Sequence, residues 1–184
     1  DVFNNSFNTA FPGGDGAAFF SDNHPTVGDG DQVNLLDAAD LSEAALETAL
    51  ILVQKAEDDR GILIGAQAKS LHIPVDLIFT ADQILNSTLS TTLGGSSVTN
   101  VNDINAIKSQ GAVPNGYFVN RRFTDTNAYF IKTDCPNGAK MFVRTKLQTK
   151  MEPDFDTGNL RYKARERYSF GFSDWRSFYG AEGA

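Results

Sequence analysis

The chain has 184 residues, 41% of them hydrophobic, which is enough for a real core and excludes a disordered polymer. Its net charge of −7 is uneven: residues 1–135 carry 7 basic and 17 acidic side chains, residues 136–184 carry 9 and 6. An acidic body with a basic C-terminal part argues against a dedicated nucleic-acid binder and suits contacts between copies. The single cysteine, Cys135, excludes an intramolecular disulfide.

Residues 1–36, rich in Asn, Gly and Asp with isolated Phe, predict an irregular arm. Phe3, Phe7 and Phe11 recur every four residues and could share a helical face before Pro12-Gly13-Gly14. Phe19 and Phe20 need a docking surface, expected on a part of the protein outside this sequence, which leaves them without a partner here. Asp40-Leu41-Ser42-Glu43 has capping-box form, with Asp40 as N-cap of a largely buried helix running to about Ala56. Leu41, Ala45, Ala49 and Leu52 form one stripe, widened by Leu46, Leu50 and Val53.

Ile62-Leu63-Ile64 and Leu71-His72-Ile73 read as strand pieces. Pro74 then starts a helix that buries Leu77, Ile78, Ala81, Ile84 and Leu85. Residues 87–102, rich in Ser, Thr and Gly, predict an exposed loop, and Asp103 caps a short helix through Lys108. Tyr117-Phe118-Val119 and Ala128-Tyr129-Phe130-Ile131 are strands; Asp134-Cys135-Pro136-Asn137-Gly138 is a turn.

The last third carries the strongest pattern. From 160 to 172, Leu160, Tyr162, Ala164, Glu166, Tyr168, Phe170 and Phe172 alternate with Arg161, Lys163, Arg165, Arg167, Ser169 and Gly171. Successive strand side chains point to opposite faces, so one face is aromatic and the other cationic. Residues 139–151 also alternate, with Met141, Val143, Leu147 and Met151 opposite Lys140, Arg144, Lys146 and Lys150 (Phe142 is the exception). The turn formers of 152–159 join the two into a long β-hairpin. Single-strand nucleic-acid binders place aromatics and cations on one surface. Here they lie on opposite surfaces, so the aromatics read as core and the cations as a solvated or subunit-facing stripe. The mixed element order without βαβ alternation predicts an α+β fold.

No catalytic constellation emerges, and no cofactor or metal site. His24 and His72 lack a nucleophile or ligand at the right spacing and read as structural. Asp29-Gly30-Asp31 followed by Asp40 fails as a calcium loop at Val33 and Asn34. The glycine clusters fit no phosphate loop, and no apolar run is long enough for a membrane span.

The block from Lys150 to Asp174 resembles the C-terminal region of major capsid proteins of tailed double-stranded DNA bacteriophages, in the group of Mu-like prophage head subunits. The order Ala39–Glu47, Asp58-Asp59-Arg60-Gly61 and Gly116–Asn120 extends that resemblance across most of the chain. It implies residues 1–36 as an arm joining a peripheral P-domain to an axial A-domain, 37–138 as the A-domain, and 139–184 as the returning P-domain hairpin and C-terminus. It further implies an upstream spine helix and extended loop that this sequence does not include. The implied function is a structural, non-enzymatic subunit of an icosahedral head enclosing packaged DNA. Its partners would be other copies in hexamers and pentamers, with scaffold or cement proteins and weak non-specific DNA contacts. Its location would be the virion, after synthesis in the bacterial cytoplasm. The basic residues Lys140, Arg144, Lys146, Lys150, Arg161, Lys163, Arg165 and Arg167 are the expected subunit interface. Two other readings stay open: an encapsulin-like nanocompartment shell, and a nucleic-acid-binding module using the hairpin.

Overall fold

A computed structural model describes residues 2–28, 30–90 and 104–184. Most of the predicted 87–102 loop, Asp103 and Asp29 lie outside the described residues. The architecture is α+β. Its centre is a mixed four-stranded sheet in the order β4-β3-β5-β8, built from β3 (Ala68–Ile73), β4 (Tyr117–Val119), β5 (Tyr129–Thr133) and β8 (Phe178–Ala181). β3 runs parallel to β4 and antiparallel to β5, which is antiparallel to β8. Two short strands in the arm, β1 (His24–Pro25) and β2 (Asp31–Gln32), pair antiparallel. Among the described residues three α-helices accompany them: α1 (Glu43–Gln54), α2 (Ile78–Asn86) and α3 (Ala106–Gln110). No helix among the described residues is long and apolar enough to cross a membrane.

Alternation along the central strands sends side chains into two separate cores. Tyr129 and Ile131 of β5 and Tyr179 of β8 join Leu71 and Ile73 under Leu46, Ala49, Leu50 and Val53 of α1. Phe130 and Phe178 point to the other side, where they meet Phe19, Phe20, Trp175 and Ala128, with Phe3, Phe7 and Phe123 packed around them. The arm aromatics therefore dock within this chain, so the expectation that they lack a partner is corrected. Phe20 stacks on Phe130 at 5.3 Å and Phe19 on Phe172 at 4.2 Å. Residues 3–11 are successive turns rather than a helix, and Phe11 is exposed. Where the arm crosses β8 the approach needs glycine: a Cβ on Gly180 would sit 2.9 Å from the Phe20 ring and 3.0 Å from Phe130. The arm also bonds Leu36 N–H to the Gly180 carbonyl and accepts the Gly180 N–H at Asn34, covering the outer edge of β8.

Asn34 pins this junction. It is fully buried; its Nδ2 donates to the carbonyls of Phe19, Trp175 and Phe178 at 2.8, 3.2 and 3.1 Å. Its Oδ1 accepts from the Ser21 N–H at 3.0 Å and faces His24 Nε2 at 2.9 Å. His24, itself fully buried, turns Nδ1 to the Asp15 carboxylate at 2.6 Å and stacks on Trp175 at 4.4 Å. Both ring nitrogens thus face an oxygen, as befits a buried structural histidine.

Several boundaries differ from the sequence reading for identifiable reasons. The cap of α1 is Ser42, whose side chain accepts the Ala45 N–H at 3.2 Å, while Asp40 accepts from the backbone of Ala184 at 3.3 Å. A distant backbone donor competes for Asp40, and the cap and the helix start both fall two residues later. One face of α1 is buried and the other open, with Ile51 exposed. Residues 62–64 form only an isolated bridge, Leu63 to Glu57, and are exposed. α2 begins at Ile78 with Leu77 as cap, later than Pro74. α3 is capped by Asn105, whose side chain accepts the Lys108 N–H and donates to the Ile84 carbonyl.

Candidate assembly interface

Strands β6 (Ala139–Pro153) and β7 (Leu160–Phe172) form a two-stranded antiparallel sheet of their own. At about 3.3 Å per residue each runs some 45 Å. Asn137 in the left-handed region (φ 67°) and Gly138 turn the chain into β6, where a side chain on Gly138 would collide with Ser177. At the far end Gly158, with φ 68°, donates to the Asp154 carbonyl, and Asp154 accepts from Thr157 Oγ1 and Arg161 Nη2 at 2.8 and 2.7 Å. Phe155 at this tip is completely exposed.

The register fixes the faces. Met141 opposes Phe170, Val143 opposes Tyr168, Met151 opposes Tyr162 and Pro153 opposes Leu160, giving the aromatic face. The expectation that this face is core is corrected by its exposure, which runs from 48% at Val143 to 66% at Met151 and Leu160. The central sheet is already filled on both sides, by α1 and by the arm, so it leaves no room for the hairpin. Only the foot is tied down, by Phe172 against Phe19.

The cationic face carries Lys150 directly opposite Lys163, Arg161 opposite Glu152, Arg165 opposite Gln148, and Arg167 opposite Thr145; Lys140 opposes Gly171 nearer the foot. Two register shifts in β6, between Val143 and Thr145 and between Thr145 and Gln148, interrupt the alternation. Arg144, Lys146 and Leu147 occupy these bulges, so the ladder unites Lys140, Lys150, Arg161, Lys163, Arg165 and Arg167 but does not assign Arg144 and Lys146 to their face. Like charges directly opposite cost stability, so Lys150 and Lys163 are a pair without internal reason. Among the described residues only Arg161 of the β7 cations has a carboxylate partner, Asp154.

Sequence reasoning did not find the recess at the foot of the hairpin, a cavity of about 440 Å³. It is lined by Asp58, Asp59, Asp134, Cys135, Asp174 and Arg176, among others. Arg176 bonds Asp59 at 2.7 Å, lies 3.8 Å from Asp174, and donates to Gln32 Oε1 and the Glu57 carbonyl. Hydrogen bonds from the Ile62 and Arg60 N–H groups hold the Asp58 carboxyl below its usual range, so it is ionised. Burial pushes the Cys135 thiol up, away from a reactive thiolate. His72 Nε2 lies 3.1 Å from Ser70 Oγ on β3, a serine neighbour that the sequence reading did not expect, and burial lowers its pKa to about 4. It stacks with Phe118 at 5.4 Å.

The hairpin is thus exposed on both faces and rooted in a body whose own sheet is packed on both sides. The family described as phage capsid protein matches residues 1–181, and the chain belongs to that family. No curated protein matches it. Among solved structures it is similar to one titled capsid of empty GTA particle, computed with C5 symmetry, at 15% identity and a TM-score of 0.48. That alignment covers 96% of this chain and 60% of the other, so the chain spans about three-fifths of its length.

Proposed function

We propose that the chain is a structural subunit of an icosahedral phage head, a shell protein of the tailed-phage capsid fold whose work is self-association rather than turnover. One observation carries this beyond family membership: beyond its foot, the hairpin exposes an aromatic face that is left half open by the described residues of its own chain. An isolated two-stranded sheet is marginal in water, and an apolar patch of this extent marks an interaction surface. In this reading 37–138 is the axial domain and the hairpin the peripheral one. Lys140, Arg144, Lys146, Lys150, Arg161, Lys163, Arg165 and Arg167 belong to the contact surface between copies. The block from Lys150 to Asp174 supports the finer placement beside Mu-like prophage head subunits. Scaffold or cement proteins and enclosed DNA would be further partners, and the mature location the virion.

Sedimentation velocity over a concentration series, with electron microscopy of the fractions, tests the reading. The expected result is concentration-dependent growth into rings or curved sheets. A chain that stays monomeric throughout the series overturns it.

A further inference from the structure

The basic face and the acidic recess of one chain adjoin only at the foot, where Lys140 bonds Asn137. Pro136, which lines the recess, lies three residues before β6, so at about 3.3 Å per residue Lys150 and its partner Lys163 stand roughly 35 Å along the strands from the foot. The recess lining holds four carboxylates and one cation, Arg176, so its formal charge is −3. Asp59 and Asp134 are exposed. The hairpin presents the reverse imbalance: Lys150 and Lys163 repel each other across the ladder, and Lys150, Lys163, Arg165 and Arg167 have no carboxylate within the chain among the described residues.

We infer that the basic face of one hairpin docks against the acidic recess of a second copy of this chain, formed by Asp58, Asp59, Asp134 and Asp174. The inference rests on the self-assembly reading and names the surface that meets the stripe. The two surfaces differ, so the contact is head to tail; such contacts build rings when the rotation closes. It relieves the Lys150–Lys163 repulsion and gives the excess carboxylates of the recess a counter-charge. Because both partners are solvent-facing before docking, the association weakens as salt screens them.

The test uses two charge-altered forms of the chain. One carries Lys163→Glu and Arg165→Glu on the hairpin. The other carries Asp59→Lys and Asp134→Asn in the recess, the amide oxygen at 134 still able to accept the Gln67 N–H that Asp134 accepts at 2.9 Å. All four positions are exposed, and circular dichroism with thermal melting verifies that each variant folds. Should the recess pair fail to fold, Asp134→Asn alone takes its place. Each variant alone is expected to self-associate at least tenfold more weakly than the parent, the recess single variant by about threefold. Mixing the two double variants restores association, since the reversed hairpin fits the altered recess better and the native surfaces still find each other. A recess variant that associates like the parent overturns the pairing while leaving self-assembly intact. A parent chain that never associates overturns the self-assembly reading itself. Tight, steeply salt-dependent binding of duplex DNA by the parent, lost in the hairpin variant while association of copies is unaffected by it, assigns the stripe to nucleic acid and also overturns the pairing.

Discussion

Replacing Tyr168 and Phe170 together by Thr separates an assembly face from a core face. The two rings meet edge to face at 5.3 Å and are 52% and 49% exposed. Threonine keeps the strand preference, so the ladder should persist. Within one chain the loss is the ring contact plus two cross-strand pairs with Val143 and Met141, together about 1–3 kcal/mol. Across an interface more is at stake. Aromatic side chains bury roughly 150–250 Å² each, and about half of each ring remains to be covered, giving about 200 Å² for the pair. At about 25 cal/mol per Å² this is about 5 kcal/mol gross, and somewhat less survives as affinity. Self-association should therefore weaken by about 10²–10³-fold per contact, while urea unfolding of the dissociated chain shifts by no more than about 3 kcal/mol. Sedimentation velocity and urea titration give the two numbers. A loss of unfolding stability well above that figure, or association equal to the parent, would refute the argument that this face awaits a partner.

Phe155, wholly exposed at the hairpin tip, should behave as an anchor for a neighbouring copy: Phe155→Ser is expected to slow or weaken assembly in light scattering with an unchanged melting temperature. Asn34→Ala would strip the Phe19 and Phe178 carbonyls and the Ser21 N–H of their Asn34 partner, and the Trp175 carbonyl of one of its two donors, at about 3–5 kcal/mol. Calorimetry should then show a melting point lower by about 10 °C. His72 gives a pH signature. Its pKa is about 4 in the folded chain against 6.5 for an ordinary histidine, so the unfolded chain binds more protons between those values. Its contribution is fully present above pH 6.5 and is lost as pH falls toward 4, worth about 1–2 kcal/mol for a partly exposed ring. His72→Phe should flatten the urea midpoint across that window; a slope equal to the parent's would exclude His72 as its source.

The hairpin shows how far a sequence carries and where it stops. Strict alternation over 160–172 determines a strand with two unlike faces, because side-chain direction has a period of two whatever the strand packs against. The turn formers at 152–159 determine that the chain reverses. Neither decides which face is covered, since an aromatic stripe looks the same whether it meets its own core or another molecule. The filled sides of the central sheet decided that. The bulges at 144–147 were equally illegible, so Arg144 and Lys146 fell outside a ladder that holds the other six basic residues. The isolated arm aromatics gave no period to read, yet Phe19 and Phe20 found Phe130 and Phe178, more than 100 residues away. The acidic recess gathers Asp58, Asp59, Asp134 and Asp174 from three separate stretches. Local pattern was enough to fix the strands, the turn and the charge of the stripe. Burial, and with it the meaning of the aromatic face, depends on contacts between segments remote in sequence, and only the tertiary structure holds those.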